Sequence, residues 1–196
     1  MPDQPHIITR RAALAAVPGL TAVVATASWP ALAAGDDRKV YDRIETELVM
    51  NLVVTCTSPE RIGGETDASK DGKRDDIWPI IGGKFEGPNI RGTVVLGGGD
   101  FPVVRPDGVV IIDALYRLKT DDGVTVIIHN KGLYYPPSGG KPERYRLAPE
   151  FIAPVGKYDW LNKSLFLSTL VDVPPAMALA KGPNENDRLI QVFRVD

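Results

Sequence analysis

Short runs of β-branched and apolar residues recur along this chain, and almost nowhere do they take a helical period. Glu47–Thr55, Thr93–Leu96, Val109–Ile112, Val124–Ile128 and Ile190–Val195 each read as strands. Between them stand Gly63-Gly64, Gly82-Gly83, Gly97-Gly98-Gly99, Pro106-Asp107-Gly108, Asp121-Asp122-Gly123 and Pro136-Pro137, turn punctuation at the close spacing of an all-β sandwich or barrel. Connections this short join antiparallel neighbours, because a parallel pair needs a long crossover. Ser58 to Ile77 and Pro174 to Asp187 read as long surface loops, the second with one helical turn near Met177–Ala180.

The clearest hairpin joins Asp113–Lys119 to Val124–Lys131 across Thr120-Asp121-Asp122-Gly123. Pairing Lys119 with Val124 sets Asp113 opposite Asn130, and a tighter turn pairing Asp121 with Val124 sets Leu115 there. Either register puts Asp113 and Asn130 on one face of the sheet and His129 on the other.

The first 33 residues follow a different pattern. Arg10-Arg11 precede an Ala/Val/Leu run that ends in Ala31-Leu32-Ala33, the layout of a cleavable export signal. The paired arginines point to the twin-arginine translocon, which carries folded proteins. Pro18, Gly19, Trp29 and Pro30 interrupt the run and argue against a stable membrane anchor. The expectation is a signal peptide over 1–33, one domain over 34–196, and a periplasmic or secreted protein.

Charge and composition remove several functions. The chain of 196 residues has 23 basic and 25 acidic side chains, and losing Arg10, Arg11 and Asp3 with the leader makes it more acidic. Nucleic acid, which demands a basic field, is not an expected partner. Cleavage also removes His6, leaving His129 as the one imidazole and Cys56 as the one thiol. His-rich and Cys-rich metal sites are thereby excluded, and neither a metal nor a cofactor is expected. No Gly-x-Ser-x-Gly elbow is present for serine chemistry.

The candidate site residues are then few. Asp113, a carboxylate between Ile112 and Ala114, is out of place in a strand unless paired or used, and on the face predicted above Asn130 would orient a substrate beside it. Gly97-Gly98-Gly99-Asp100 lacks the helix and the Lys-Ser/Thr of a phosphate loop, so it reads as a turn presenting Asp100 at a rim. Tyr116 offers a ring and a hydroxyl. Along Tyr158–Asn162, strand alternation puts Trp160 and Asn162 on one face, suited to stacking on and bonding a planar or sugar-like ligand.

From Trp78 onward the order of motifs is specific: Gly82-Gly83-Lys84-Phe85-Glu86-Gly87-Pro88, Gly97-Gly98-Gly99-Asp100, Arg105-Pro106-Asp107-Gly108, Asp113–Leu118, Asp121-Asp122-Gly123, Asn130-Lys131-Gly132 and Tyr158–Phe166. In these the chain resembles domain-of-unknown-function family 3237, also called UPF0311, over about residues 44 to 195. The resemblance implies a compact antiparallel β-barrel and brings no reaction with it. Phe101 stands where the family has Trp and Leu115 where it commonly has a polar residue, so a more apolar cavity is expected.

Two functions fit: a cofactor-independent lyase, hydratase or isomerase with Asp113 or Asp100 as acid/base, and a non-catalytic periplasmic module that binds a small organic ligand with the same residues. An envelope-assembly protein would instead show an exposed apolar face and no cavity.

Overall fold

The computed structural model describes residues 44–62, 76–180, 182 and 184–196. The expected export leader lies outside these residues, as does most of the Ser58–Ile77 loop. Ten strands follow in chain order: β1 (Thr46–Cys56), β2 (Glu60–Arg61), β3 (Asp76–Glu86), β4 (Arg91–Asp100), β5 (Val103–Val104), β6 (Val110–Thr120), β7 (Thr125–Tyr135), β8 (Arg144–Ile152), β9 (Leu165–Asp172) and β10 (Asp187–Val195).

Eight of them close an antiparallel barrel in the order β1-β3-β4-β6-β7-β8-β9-β10, with β10 pairing back onto β1. Each wall strand lies beside its neighbours in sequence, which makes this an up-and-down barrel without edges along its wall. β2 extends β3 and β5 pairs with β6.

Alternation sorts the side chains. On β6, Val110, Ile112, Ala114, Tyr116 and Leu118 point inward, while Asp113, Leu115, Arg117 and Lys119 point out. Along the barrel axis the interior divides into two parts. One half is solid: Met50, Leu52, Phe85, Val94, Leu118, Val126, Ile128, Phe151, Phe166 and Val192 fill it, and Phe151 packs edge-on to Phe166 with centroids 5.0 Å apart. Each such fully buried side chain contributes about 1.5–3 kcal/mol. Tyr158 and Leu161 close this half from the segment after β8. The other half, from Tyr116 and Asn130 outward, is hollow.

Three expectations are corrected here. Gly82-Gly83 and Gly97–Gly99 are not turns; they lie inside β3 and β4, at irregular registers where the wall bends. Tyr158–Asn162 is not a strand, because Asp159–Asn162 forms a 3-10 turn, so the shared face assigned to Trp160 and Asn162 does not exist. In the Pro174–Asp187 loop the helical turn spans Pro175–Met177, slightly earlier than expected.

The β6–β7 hairpin carries the largest correction. Thr120 N–H donates to Val124 O at 2.9 Å and Val124 N–H donates to Thr120 Oγ1 at 2.8 Å, closing a three-residue loop, Asp121-Asp122-Gly123. Gly123 occupies φ +89, the left-handed position such a loop requires. Asp122 secures the turn from outside: it accepts from Thr120 Oγ1 (2.6 Å), Lys157 Nζ (2.8 Å) and Tyr158 OH (2.9 Å). Lys119 therefore pairs with Thr125, and Ala114 with Asn130. This register lies one residue from both expected ones, so the parity inverts: Asn130 faces the interior, and Asp113 faces out beside His129.

Candidate functional site

The hollow half of the barrel holds a cavity of about 330 Å³ with an open mouth. Its wall is mostly apolar: Val54, Ile80, Ile112, Ala114, Leu147 and Ile190. Chemistry enters at few points. Asp100 projects from the end of β4, Tyr116 and Asn130 form the floor, Tyr134 and Tyr145 stand together toward the rim, and Cys56, Trp78 and Arg188 complete the ring. An apolar recess with a few convergent polar groups is the usual form of a small-molecule site.

Asp100 is the distinctive group. Burial pushes its carboxyl from the ordinary aspartate value up to about 6; the Asp113 and Phe101 N–H groups restrain that rise and the nearby Asp113 charge adds to it. Its Oδ1 accepts the backbone N–H of Asp113 at 2.9 Å, across the β4–β6 ladder where Asp100 faces Ala114. A carboxyl poised near neutrality in a cavity can both accept and return a proton.

Tyr116 is 2% exposed, and its hydroxyl, beside Asn130, makes no hydrogen bond of acceptable geometry. Burial raises the phenol well above its usual range, so it remains protonated and able to donate. Asn130 is 1% exposed, and its Oδ1 accepts from Ser168 Oγ at 3.3 Å. A buried hydroxyl without a partner costs about 1–3 kcal/mol. Tyr116→Phe is accordingly expected to leave thermal stability unchanged or raise it, while removing a hydrogen bond from anything seated on the floor; a melting curve checks the first and a ligand titration the second.

The Cys56 thiol lines the same wall, and burial, with Asp100 adding to it, pushes its pKa up to about 11, so it stays a protonated, inert thiol. Tyr134 and Tyr145 stack with ring centroids 4.5 Å apart, and Tyr134 OH donates to Glu143 Oε2 at 2.9 Å.

Of the six candidate residues, Asp100, Tyr116 and Asn130 come together in this cavity. Asp113 does not. Its carboxylate lies on the outer wall, where Oδ1 sits 2.6 Å from His129 Nε2, both side chains about a third exposed. It acts on the cavity through its backbone N–H on Asp100 and through its charge, which adds to the rise of the Asp100 pKa. Trp160 lines a separate hollow of about 290 Å³ at the filled end, with Glu47, Pro88, Asn89, Lys157 and Arg194. The cations there are already paired, Lys157 with Asp122 and Arg194 with Glu47 and Asp196. Asn162 uses both ends of its amide on Ala153: it accepts from Ala153 N–H and donates to Ala153 O, each at 2.8 Å. It fastens the 3-10 turn to the end of β8. Leu115 and Phe101, 48% and 40% exposed, lie outside the cavity, so the expectation that they make it more apolar is also corrected.

Arg188, Tyr145 and Trp78 were missed. A signal for Arg188 was present: it precedes Ile190 and Val192 at the same strand parity, a charge at an inward position. Tyr145 and Trp78 lie on strands that the hydrophobic pattern did not reveal.

Fold and cavity together define a closed eight-stranded barrel, solid at one end and open at the other. Residues 44–174 match the family model described as "Protein of unknown function (DUF3237)", and the chain belongs to that family. A UPF0311 protein of Rhodopseudomonas palustris is 33% identical over 137 residues, 62% of this chain and 87% of that one. A β-barrel-like protein of Acinetobacter baumannii superposes with a TM-score of 0.64 at 23% identity, covering 79% of this chain and 97% of that one. A chain from Penicillium herquei, described as an enzyme, shares the fold with a TM-score of 0.54 at 20% identity, over 78% and 95% of the two chains.

Proposed function

We propose that the open half of the barrel receives a small organic molecule and that Asp100 moves a proton on it, the step common to cofactor-independent lyases, hydratases and isomerases. Tyr116 donates a hydrogen bond from the floor, and Asn130 orients the substrate beside it. The observation that carries this reading is the conjunction, in one cavity, of a buried carboxyl, Asp100, whose burial pushes its pKa up to about 6, and a buried phenol hydroxyl, Tyr116, that has Asn130 as its neighbour but makes no well-formed hydrogen bond. A purely structural interior has reason to keep neither, since both cost stability. The Penicillium herquei neighbour, called an enzyme, is consistent with chemistry on this fold.

The substrate need not be identified for the test. Purified protein is incubated with a small-molecule extract in deuterated water, and mass spectrometry finds any compound that gains deuterium or changes mass. The wild type is expected to label or convert a compound, and Asp100→Asn to lose that activity while still retaining the compound. Retention without labelling or conversion by the wild type would replace the enzyme with the second reading, a module that only binds.

We further propose that the protein works outside the cytoplasm, delivered by the Arg10-Arg11 leader. Replacing both arginines by Lys is expected to leave folded protein in the cytoplasmic fraction. Undiminished periplasmic protein in that variant would show that the twin arginine is not the address.

A further inference from the structure

We propose that the molecule received by the cavity is an organic anion, a carboxylate on an apolar or aromatic body, and that Arg188 is its anchor. The inference rests on the reading of the cavity as a ligand site and adds the class of ligand.

Arg188 is the second residue of β10 and the cross-strand partner of Val54, on the same inward face as Ile190 and Val192. Its Nη1 donates to two backbone carbonyls, Glu185 O at 2.6 Å and Asp187 O at 2.8 Å. Those two bonds fix the plane of the guanidinium and leave Nε and Nη2 to present a fork. Among the described residues no carboxylate forms an ion pair with it, whereas Arg105 and Arg194 are each held by acids. Arg188 is half-buried at the rim of a mostly apolar recess, with Asp172 opposite it on β9 and Asp187 beside it but neither in an ion pair with it, so its planar fork is open to a carboxylate held by two parallel hydrogen bonds.

The barrel places this cation and the acid on different walls of the cavity. Asp100 is on β4 and Arg188 on β10, three strands apart by the shorter way round eight, so the two face each other across the mouth without pairing. Between them the Tyr134–Tyr145 pair and Trp78 offer flat apolar surface. A molecule gripped by its carboxylate at Arg188 lays its body along those rings and turns its other end toward Asp100. The anchor thereby selects which atom meets the acid/base, which is how remote binding directs chemistry. At about 330 Å³ the cavity is near the lower bound for ligand pockets and suits a body of one or two rings.

The probes are 3-phenylpropanoate and its neutral amide, matched in shape and differing in charge. Each is titrated at pH 6.5 and low salt by calorimetry and by the ring resonances of Tyr134 and Tyr145. The acid is expected to bind the wild type at least tenfold more tightly than the amide, with the margin shrinking at high salt. Arg188→Gln should bring the two within about twofold, with amide affinity little changed, and Arg188→Lys should keep part of the preference. Equal binding of acid and amide to the wild type would overturn the anion while leaving the cavity as a ligand site. A tenfold preference that survives in Arg188→Gln would overturn Arg188 as anchor. If neither probe moves the tyrosine resonances, the ligand-site reading falls and this inference with it. Should Arg188→Gln fail to fold, the wild-type comparison and Arg188→Lys still decide.

Discussion

Asp100→Asn is expected to make the protein more stable at pH 7, by about 1–3 kcal/mol, and, on the proposed reading of the cavity, to abolish turnover. Burial raises the carboxyl from an ordinary value of 3.8 to about 6. The folded state thus prefers the protonated acid, and the unfolded chain does not. The corresponding stabilisation is fully present below the unfolded pKa near 4 and is lost as pH rises through about 6. One pKa unit corresponds to about 1.4 kcal/mol, and part of the full shift is discounted because the group lies near an open mouth. Asn keeps the Oδ1 acceptor for the Asp113 N–H and carries no charge to desolvate. Urea unfolding at pH 4, 5, 6 and 7 reads the difference between the two proteins. It should grow in the variant's favour from pH 4 to pH 7 and level off above. A variant no more stable at pH 7, with an unchanged difference across that range, would mean that the carboxyl is hydrated and not poised for proton transfer.

Gly83→Ala is expected to cost more than about 3 kcal/mol of folding stability. Gly83 lies in β3 opposite Val54 in the seam that closes β3 onto β1. A Cβ there would stand 2.0 Å from Val53 O, a backbone atom that cannot swing away, and the residue's φ of +141 disfavours any L side chain. The two strands must separate or the bend must be rebuilt, and either opens the barrel. Gly123→Ala is the natural control. At φ +89 it is strained too, but nothing lies within 4 Å of its added Cβ, so it should cost only about 1–2 kcal/mol. Thermal melts of the two variants separate the clash from the strain. Equal losses would show that the β1–β3 seam relaxes around an added methyl group.

The strands that were legible and those that were not differ for a physical reason. β1, β6, β7 and β10 are rich in Val, Ile and Leu, and their runs stand out against the loops. β3 carries Gly82-Gly83, which look like a turn in one dimension. In three dimensions they are the points where a strand bends and a neighbouring backbone comes within contact. β8 alternates Tyr145, Leu147, Pro149 and Phe151 with Arg144, Arg146 and Glu150, a period masked by its arginines and proline. β9 shows apolar residues on both faces, since Leu165 and Leu167 point outward while Phe166 and Leu170 point in.

Within the site, Asp100, Tyr116 and Asn130 all line the cavity, although Asn130 is expected from a shared face with Asp113 and Asp100 from a turn, and neither the face nor the turn is present. The partnership of Asp113 with Asn130 failed on one residue of loop length. Thr120 can close the hairpin with its own hydroxyl, a side-chain bond that strand propensity does not report, and that single closure turns every β7 side chain to the other face. Trp160 and Asn162 lie away from the cavity because a 3-10 turn, with no strand alternation, caps the filled end.

The pattern of apolar runs and turn residues by itself determined that this chain forms antiparallel sheet, because period-two burial and short connections admit little else. It also pointed to Asp100, Tyr116 and Asn130, three of the polar residues that line the cavity, but not to Arg188. The tertiary structure alone decided which of them share a space. Closure of β10 onto β1 creates the interior, and hairpin register assigns each side chain to it or to the outside. The circumference of eight strands then brings Asp100 and Arg188, 88 residues apart in sequence, to facing walls of one cavity. Each of these depends on contacts between distant segments, and no local window of sequence contains them.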